Sequence, residues 1–254
     1  MLTEDAKVRQ WHKALAGLRR PPCLVLLLVA FAGLGVVAAE TVKDQPPAAS
    51  GYEKFDEHFK KYSERFFGGD VDWRLFKAQA IVESNLRPNA VNPSGARGVM
   101  QLMSPTYAEA RRKNKDFGEI TNPEWNIAAG IWYAHEQWNL WESDAEKKFR
   151  KQFMLGSYNA GRGTLVRAQK IALSEKLNHK RWPTIEKVAP RVPNWRYKET
   201  LAYVGSVFAN MSSMDRKGRV KGPTISKDPS GGGLPDKLKS FLGLFKHLRL
   251  WDDD

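Results

Sequence analysis

The middle of the sequence contains two prolines at positions typical of the first turn of an α-helix. They constrain the secondary structure of this chain more than any other sequence feature does. Ser104-Pro105 and Asn122-Pro123 each place a capping residue before a proline at the first helical position. Alternating apolar and polar residues, as a half-buried strand requires, are scarce between residues 51 and 214. These features predict a mainly α domain over 51–214.

Apolar periodicity places further helices on either side of these signals. One amphipathic segment carries Ile127, Ile131, Ala134 and Trp138 on a single stripe. Gly161 follows another segment and is typical of a helix end. We predict helices from Asp70 or Asp72 to about Ser84, from Ser104 to about Lys113, from Pro123 past Trp138, from about Asp144 to Ala160, over about 163–177 and over about 196–213.

The first 39 residues have the organisation of an export signal. Residues 1–20 are rich in Lys and Arg, residues 23–39 carry no charge, and small residues end the uncharged run. An uncleaved membrane anchor is the alternative, because seventeen residues lie at the short edge of what spans a bilayer. We predict a signal peptide or anchor over 1–39, a linker over 40–50, and a location in the bacterial periplasm or cell envelope.

Composition narrows the chemistry without selecting a partner. Forty-one Lys and Arg face 28 Asp and Glu, which gives a formal charge of +13. A surplus of that size attracts polyanions, and nucleic acid, anionic lipid and cell-wall polymer all qualify. The single cysteine, Cys23, excludes an intrachain disulfide and a cysteine-based metal site. The five histidines show no metal-ligand spacing, so we predict neither a metal nor a cofactor.

The end of the chain has two parts. Residues 215–235 are rich in Gly, Pro and Lys and lack an apolar period, which predicts a flexible linker. Residues 236–254 place an apolar stripe beside several Lys and Arg residues, as in a helix that lies on an anionic membrane surface. A helix docked on its own domain or on a partner is the alternative interpretation.

One carboxylate, Glu83, lies near the end of a predicted helix. Phe76, Gln79 and Ala80 precede it at helical spacings, so it shares a face with residues predicted to point inward. Burial and the negative end of the helix dipole both favour the neutral acid, which can donate a proton to a leaving oxygen. No Asp or Glu occurs between Glu83 and Glu109. A solvated glutamate at a helix end is the alternative.

Four short segments carry a family resemblance. They are Glu83-Ser84, the run from Gly95 to Met103, the run from Ser157 to Gly161, and the run from Glu199 to Val204. In order and spacing they resemble the signature segments of the lytic transglycosylase catalytic domain. The resemblance covers about residues 60–213 and is nearest to the membrane-bound F-type branch. It implies a helical, goose-type-lysozyme-like fold.

The resemblance also implies a reaction. The substrate class is peptidoglycan, cut between N-acetylmuramic acid and N-acetylglucosamine with formation of 1,6-anhydromuramyl ends. Most glycoside hydrolases need two carboxylates, whereas this family uses one, and that one corresponds to Glu83. The stretch without acidic residues that follows Glu83 is consistent with this. Peptidoglycan glycan strands are the implied partner, and no cofactor is implied.

The same resemblance assigns roles around Glu83. Three of the assigned positions have a structural alternative. Met100 and Met103 at helical spacing also suit a core. Tyr203 on an amphipathic helix likewise suits packing. The assigned roles are these: Ser84 and Gln101 bind substrate or position Glu83, Met100 and Met103 line the saccharide cleft, Tyr158 and Asn159 bind sugar, and Tyr203 holds the Glu83 carboxyl group.

Two other functions compete with a lytic transglycosylase. A hydrolytic muramidase of the goose-type lysozyme class uses the same general acid and adds water to the product. A non-catalytic basic scaffold could bind peptidoglycan or nucleic acid. The export segment argues against a nucleic-acid role, so no nucleic-acid partner is predicted.

Overall fold

The computed structural model describes residues 51–227. The predicted signal or anchor over 1–39, the linker over 40–50 and the amphipathic tail over 236–254 lie outside the described residues and stay predictions. Eight α-helices form the described part of the chain. They are α1 (Asp56–Phe67), α2 (Arg74–Ser84), α3 (Ser104–Lys113), α4 (Pro123–Leu140), α5 (Arg150–Ala160), α6 (Arg162–Ser174), α7 (Trp182–Val188) and α8 (Tyr197–Ser212).

Local signals locate most helix ends correctly. The Asn122 side chain accepts hydrogen bonds from the backbone N–H groups of Glu124 and Trp125, as the capping pattern predicts. Helix α3 has the predicted limits, and α5 ends at Ala160 beside Gly161. Between 51 and 227, pairing of strand type is confined to isolated bridges, so the prediction of a mainly α fold is confirmed.

The predicted start of a helix at Asp144 is wrong. The regular helix begins at Arg150, after a short 3₁₀ turn over Lys147–Phe149. Gln169 of α6 donates a hydrogen bond to the Asp144 backbone oxygen, and Arg162 pairs with the Asp144 carboxylate. These tertiary contacts hold Asp144 outside a helix, and no local sequence signal reports them.

Helix α4 lies at the centre of the fold. It packs against α1, α3 and α5, while α8 packs against both α2 and α5. Ile127, Ala129 and Ile131 of α4 are fully buried. Gly130 allows the close approach of Met100, because a Cβ atom at Gly130 would lie 2.6 Å from the Met100 Cβ atom. The hydrophobic core thus directly contacts the run from Gly95 to Met103, which contains several of the predicted site residues.

Residues 214–227 pack back onto the helices, although the sequence pattern predicts a flexible linker from residue 215. We call this segment the C-terminal strap. It begins with a turn in which Met214 and Val220 form an antiparallel bridge. The buried Lys77 side chain donates a hydrogen bond of 2.8 Å to the Gly218 backbone oxygen.

Within 51–227, no helix has both the length and the apolar character needed to cross a bilayer.

Candidate active site

The end of helix α2 presents Glu83. The helix begins where the Asp72 carboxylate accepts a hydrogen bond from the Arg74 N–H, and it ends at Asn85, which adopts left-handed geometry with φ 53°. Glu83 therefore lies in the last turn, as predicted. Its side chain is 8% exposed. The carboxyl group is thus largely withdrawn from solvent at the edge of the α2–α8 packing.

A compact loop lies beside this helix end. Arg97 forms antiparallel bridges with Val91 and with Leu102, and the Gly98 N–H donates to the Ala90 backbone oxygen at 2.8 Å. Gly98 has φ 77°, a left-handed geometry that favours glycine. The loop thereby folds tightly enough to bring the run from Gly95 to Met103 against Ser84.

Asn126 of α4 secures this loop from below. Its Oδ1 accepts a hydrogen bond from the Met100 N–H at 2.8 Å. Its Nδ2 donates to the backbone oxygens of Arg97 and Ile120 at 3.1 and 3.2 Å. A Cβ atom at Gly98 would lie 2.3 Å from the Asn126 amide nitrogen, so the glycine is required by this contact as well.

Ser84 and Gln101 use their polar groups within the protein. Ser84 is 1% exposed, and its hydroxyl donates a 2.7 Å hydrogen bond to the Val99 backbone oxygen. The Gln101 amide donates to the backbone oxygens of Ala90 and Gly98. Both side chains therefore connect the loop to itself or to α2.

The two methionines of the loop differ in environment. Met100 is fully buried against α4, whereas the Met103 side chain is 43% exposed. Val91, which lies on the same loop, is also exposed. Met103 is therefore available to a ligand from solvent, while Met100 in this arrangement belongs to the core.

Tyr158 and Asn159 lie at the end of α5, close to this loop. The Tyr158 hydroxyl donates a 2.9 Å hydrogen bond to the Met100 backbone oxygen, and its ring packs against Tyr133 with centroids 5.1 Å apart. Burial, followed by the negative charge of Glu83, raises the Tyr158 pKa well above its ordinary value. The half-buried Asn159 side chain forms no hydrogen bond within residues 51–227.

Tyr203 of α8 is buried beside Glu83. Burial first and the charge of Glu83 second raise its pKa well above the ordinary value, so the hydroxyl keeps its proton. The hydroxyl interacts with the Glu83 carboxyl group and with the Gln79 amide, although neither contact has the geometry of a full hydrogen bond. Two buried polar groups next to Glu83 are thus only weakly paired, which is costly.

Lys227 makes the closest charged contact with Glu83. Its Nζ donates to the Glu83 Oε2 at 3.2 Å and lies 3.9 Å from the centre of the Tyr203 ring. Its backbone N–H donates to the Val82 oxygen, which is one of the free carbonyl groups at the end of α2. The C-terminal strap thus closes one side of the Glu83 environment.

Several of these residues escape local sequence reasoning. Asn126 looks like an ordinary polar residue of an amphipathic helix, and Lys227 lies 144 residues from Glu83 in a Gly- and Pro-rich stretch. Gln79 carries the only usable signal, since it precedes Glu83 by one helical turn. Its contact with Tyr203 appears only in the packed structure.

Other polar features lie apart from Glu83. A cavity of about 530 Å³ is lined by Lys60, Trp73, Arg74 and Arg216, among others. It lies at the opposite end of α2, roughly 14 Å along the helix axis. Between residues 51 and 227, no group of three or more His, Cys, Asp or Glu side chains is arranged to hold a metal ion.

Comparison with known proteins identifies related sequences. Residues 59–180 match the family model of the transglycosylase SLT domain. The chain is 34% identical over 150 residues to a membrane-bound lytic murein transglycosylase F of Shewanella loihica, covering 58% of this chain and 30% of that protein. It is 33% identical to the protein of the same name from Haemophilus influenzae, covering 59% and 29%. The chain thus spans about 30% of the length of these relatives, and the resemblance seen in the sequence is confirmed.

Proposed function

We propose that the chain is a peptidoglycan lytic transglycosylase, on the premise that residues 59–180 match the family model of the transglycosylase SLT domain. Its relatives carry the name lytic murein transglycosylase, and murein is peptidoglycan. The observation that best supports the proposal is the placement of Glu83. Its carboxyl group is mostly buried at a helix end, between two neutral tyrosines and a loop that exposes Met103.

Glu83 performs both proton transfers of the proposed reaction. As an acid it protonates the glycosidic oxygen while the bond from that oxygen to C1 of N-acetylmuramic acid breaks. As a base it then removes the proton of the C6 hydroxyl of the same sugar, and that oxygen attacks C1. The product has a 1,6-anhydro ring and no water is added. The attacking hydroxyl is already tethered, so the second step has a high effective molarity.

The neighbouring side chains support this chemistry in two ways. Ser84 and Gln101 position the loop relative to Glu83 through their hydrogen bonds to its backbone. Met103 and Asn159 are accessible to a saccharide, and the hydroxyl of Tyr203 lies against the Glu83 carboxyl group. Met100 and Tyr158 form the wall beneath the sugar, since the Tyr158 hydroxyl is tied to the Met100 backbone.

Digestion of isolated peptidoglycan sacculi tests the proposal. Mass spectrometry of the released fragments is expected to find 1,6-anhydromuramyl ends with the wild-type protein. Glu83→Gln is expected to lose about a hundredfold or more of the activity, because it removes the acid and base. Glu109→Gln is the matched control: this glutamate is exposed on α3, and its substitution is expected to leave turnover within about twofold.

Two results would contradict the proposal. Fragments heavier by one water indicate a hydrolytic muramidase that uses the same acid. Unchanged turnover by Glu83→Gln excludes the role given to that residue.

The name of the relatives further supports a location in the cell envelope, where peptidoglycan lies. Separation of periplasmic, membrane and cytoplasmic fractions with an antibody against the chain measures that location.

A further inference from the structure

The C-terminal strap is fixed to the helices at several points. Arg74 donates to the Asp215 backbone oxygen at 3.0 Å, and Lys77 donates to that of Gly218. Gly218 packs closely against the Trp73 ring, and a Cβ atom at this position would lie 2.2 Å from the nearest ring carbon. These contacts place the first half of the strap along the start of α2.

The second half of the strap runs toward the end of α2. The buried Asn210 of α8 binds the backbone of Ile225 through both amide atoms, donating to its oxygen at 2.8 Å and accepting from its N–H at 2.9 Å. The Tyr52 hydroxyl shares a hydrogen bond with the Thr224 hydroxyl and donates another to Asn85. Lys227 follows directly, with its N–H bonded to Val82.

Lys227 meets Glu83 in a way that opposes the first proton transfer. The ammonium group lies 3.2 Å from the Glu83 Oε2, in the place that a leaving oxygen has to reach in order to accept the proton. The lysine also occupies one carboxylate oxygen and covers the face of Tyr203. A sugar oxygen that approaches Glu83 from this side has to displace the lysine.

The groups around this ion pair also favour a second arrangement. With Lys227 in place, the buried Tyr203 hydroxyl interacts with Glu83 and with the Gln79 amide, but neither contact has the geometry of a full hydrogen bond. Removal of the lysine lets the Glu83 carboxyl group move closer to Tyr203. Weakly paired polar groups therefore lower the cost of displacing the lysine, as expected for an element with two states.

From these contacts we infer that the C-terminal strap is an autoinhibitory element. It holds Glu83 in an ion pair with Lys227 until the glycan strand displaces the lysine side chain. The inference rests on the proposed function. The strap has its firm attachments at Gly218 and Ile225, while the charged contact lies at the end nearest the site. Displacement of Lys227 alone therefore opens Glu83, and the rest of the strap stays attached.

The test compares turnover of purified sacculi by four forms of the full chain. Lys227→Met removes the charge but keeps an unbranched side chain, and it is expected to raise the rate roughly fivefold. Lys227→Arg keeps the charge and is expected to stay near the wild-type rate. Lys217→Met removes the same charge from an exposed position at the far turn of the strap, and it is expected to leave the rate unchanged.

A second variant tests the strap independently of its lysine. Asn210→Ala removes both hydrogen bonds to Ile225, so it is expected to raise the rate as Lys227→Met does. Hydrogen–deuterium exchange of the peptide over 221–227 reads the strap without any activity: Asn210→Ala is expected to exchange faster there than the wild type, whereas Lys227→Met, which keeps the bonds to Ile225, is expected to exchange at the wild-type rate. Circular dichroism checks that Asn210→Ala remains folded.

The outcomes separate this inference from the proposed function. If the wild type releases anhydro fragments, and neither Lys227→Met nor Asn210→Ala with its faster exchange at 221–227 is faster than the wild type, the strap is not inhibitory. A slower rate for both Lys227→Met and Lys227→Arg would instead make this lysine part of the catalytic machinery, and the inference would be wrong. If no form releases any fragment, the proposed function itself fails and the inhibitory role fails with it.

Discussion

Asn126 offers the sharpest test of how the site is assembled. This residue is 1% exposed, and its side chain makes three hydrogen bonds to the backbone on which the Glu83 environment depends. Asn126→Ala leaves the Met100 N–H buried without a partner and removes two further donor contacts. A buried unsatisfied group costs about 1–3 kcal/mol and each of the two remaining hydrogen bonds about 1 kcal/mol, so we expect a loss of about 3–5 kcal/mol in the free energy of unfolding.

Asn122→Ala provides a matched control on the same helix. Asn122 is exposed and caps α4 through its Oδ1, so the same substitution is expected to cost about 1 kcal/mol without disturbing the loop. Urea unfolding followed by circular dichroism measures both losses, and digestion of sacculi measures activity in the absence of urea. We expect activity to fall with Asn126→Ala and to persist with Asn122→Ala.

The result that refutes this reasoning is an equal effect of the two substitutions. If Asn126→Ala loses no more than about 1 kcal/mol and keeps its activity, the loop does not depend on α4 for its conformation. The loop would then be held by its own bridges at Arg97 and by the Ser84 hydroxyl.

Two further predictions concern packing and pH. Gly130→Ala is expected to destabilise the fold by about 1–3 kcal/mol, because its Cβ atom would clash with Met100. Gly163→Ala on α6 is the control: no atom lies within 4 Å of its Cβ position, so it is expected to be neutral or stabilising by up to about 1 kcal/mol. Thermal unfolding distinguishes the two variants, and equal melting temperatures would contradict the close contact between Gly130 and Met100. At Asp215, burial opposes ionisation, but hydrogen bonds from Arg219 and Lys217 outweigh it and lower the pKa to about 2. Since the folded value lies below the unfolded one, the stabilisation from Asp215 is present above about pH 4 and is lost as the pH falls toward 2. The stability difference between wild type and Asp215→Asn, measured by urea unfolding across this range, is therefore expected to shrink in acid, and a constant difference would contradict the assignment.

Much of the helical framework could be predicted because its signals are local. A cap such as Asn122 acts on backbone groups two or three residues away, and the 3.6-residue period of apolar side chains is visible within each segment. The position of Glu83 in a last helical turn, sharing a face with inward residues, followed from the same spacing rules. The four short segments that carried the family resemblance are likewise readable without any tertiary information.

The contacts that complete the site join residues far apart in the chain, and no local pattern encodes them. Asn126 reaches Met100 across 26 residues, and Lys227 reaches Glu83 across 144. The strap itself reads as a flexible stretch because its stability comes from partners such as Asn210 and Lys77 and not from its own periodicity. Backbone propensity acts over one turn, whereas the ion pair at Glu83 exists only after α2 and α8 have packed and the chain has folded back over them.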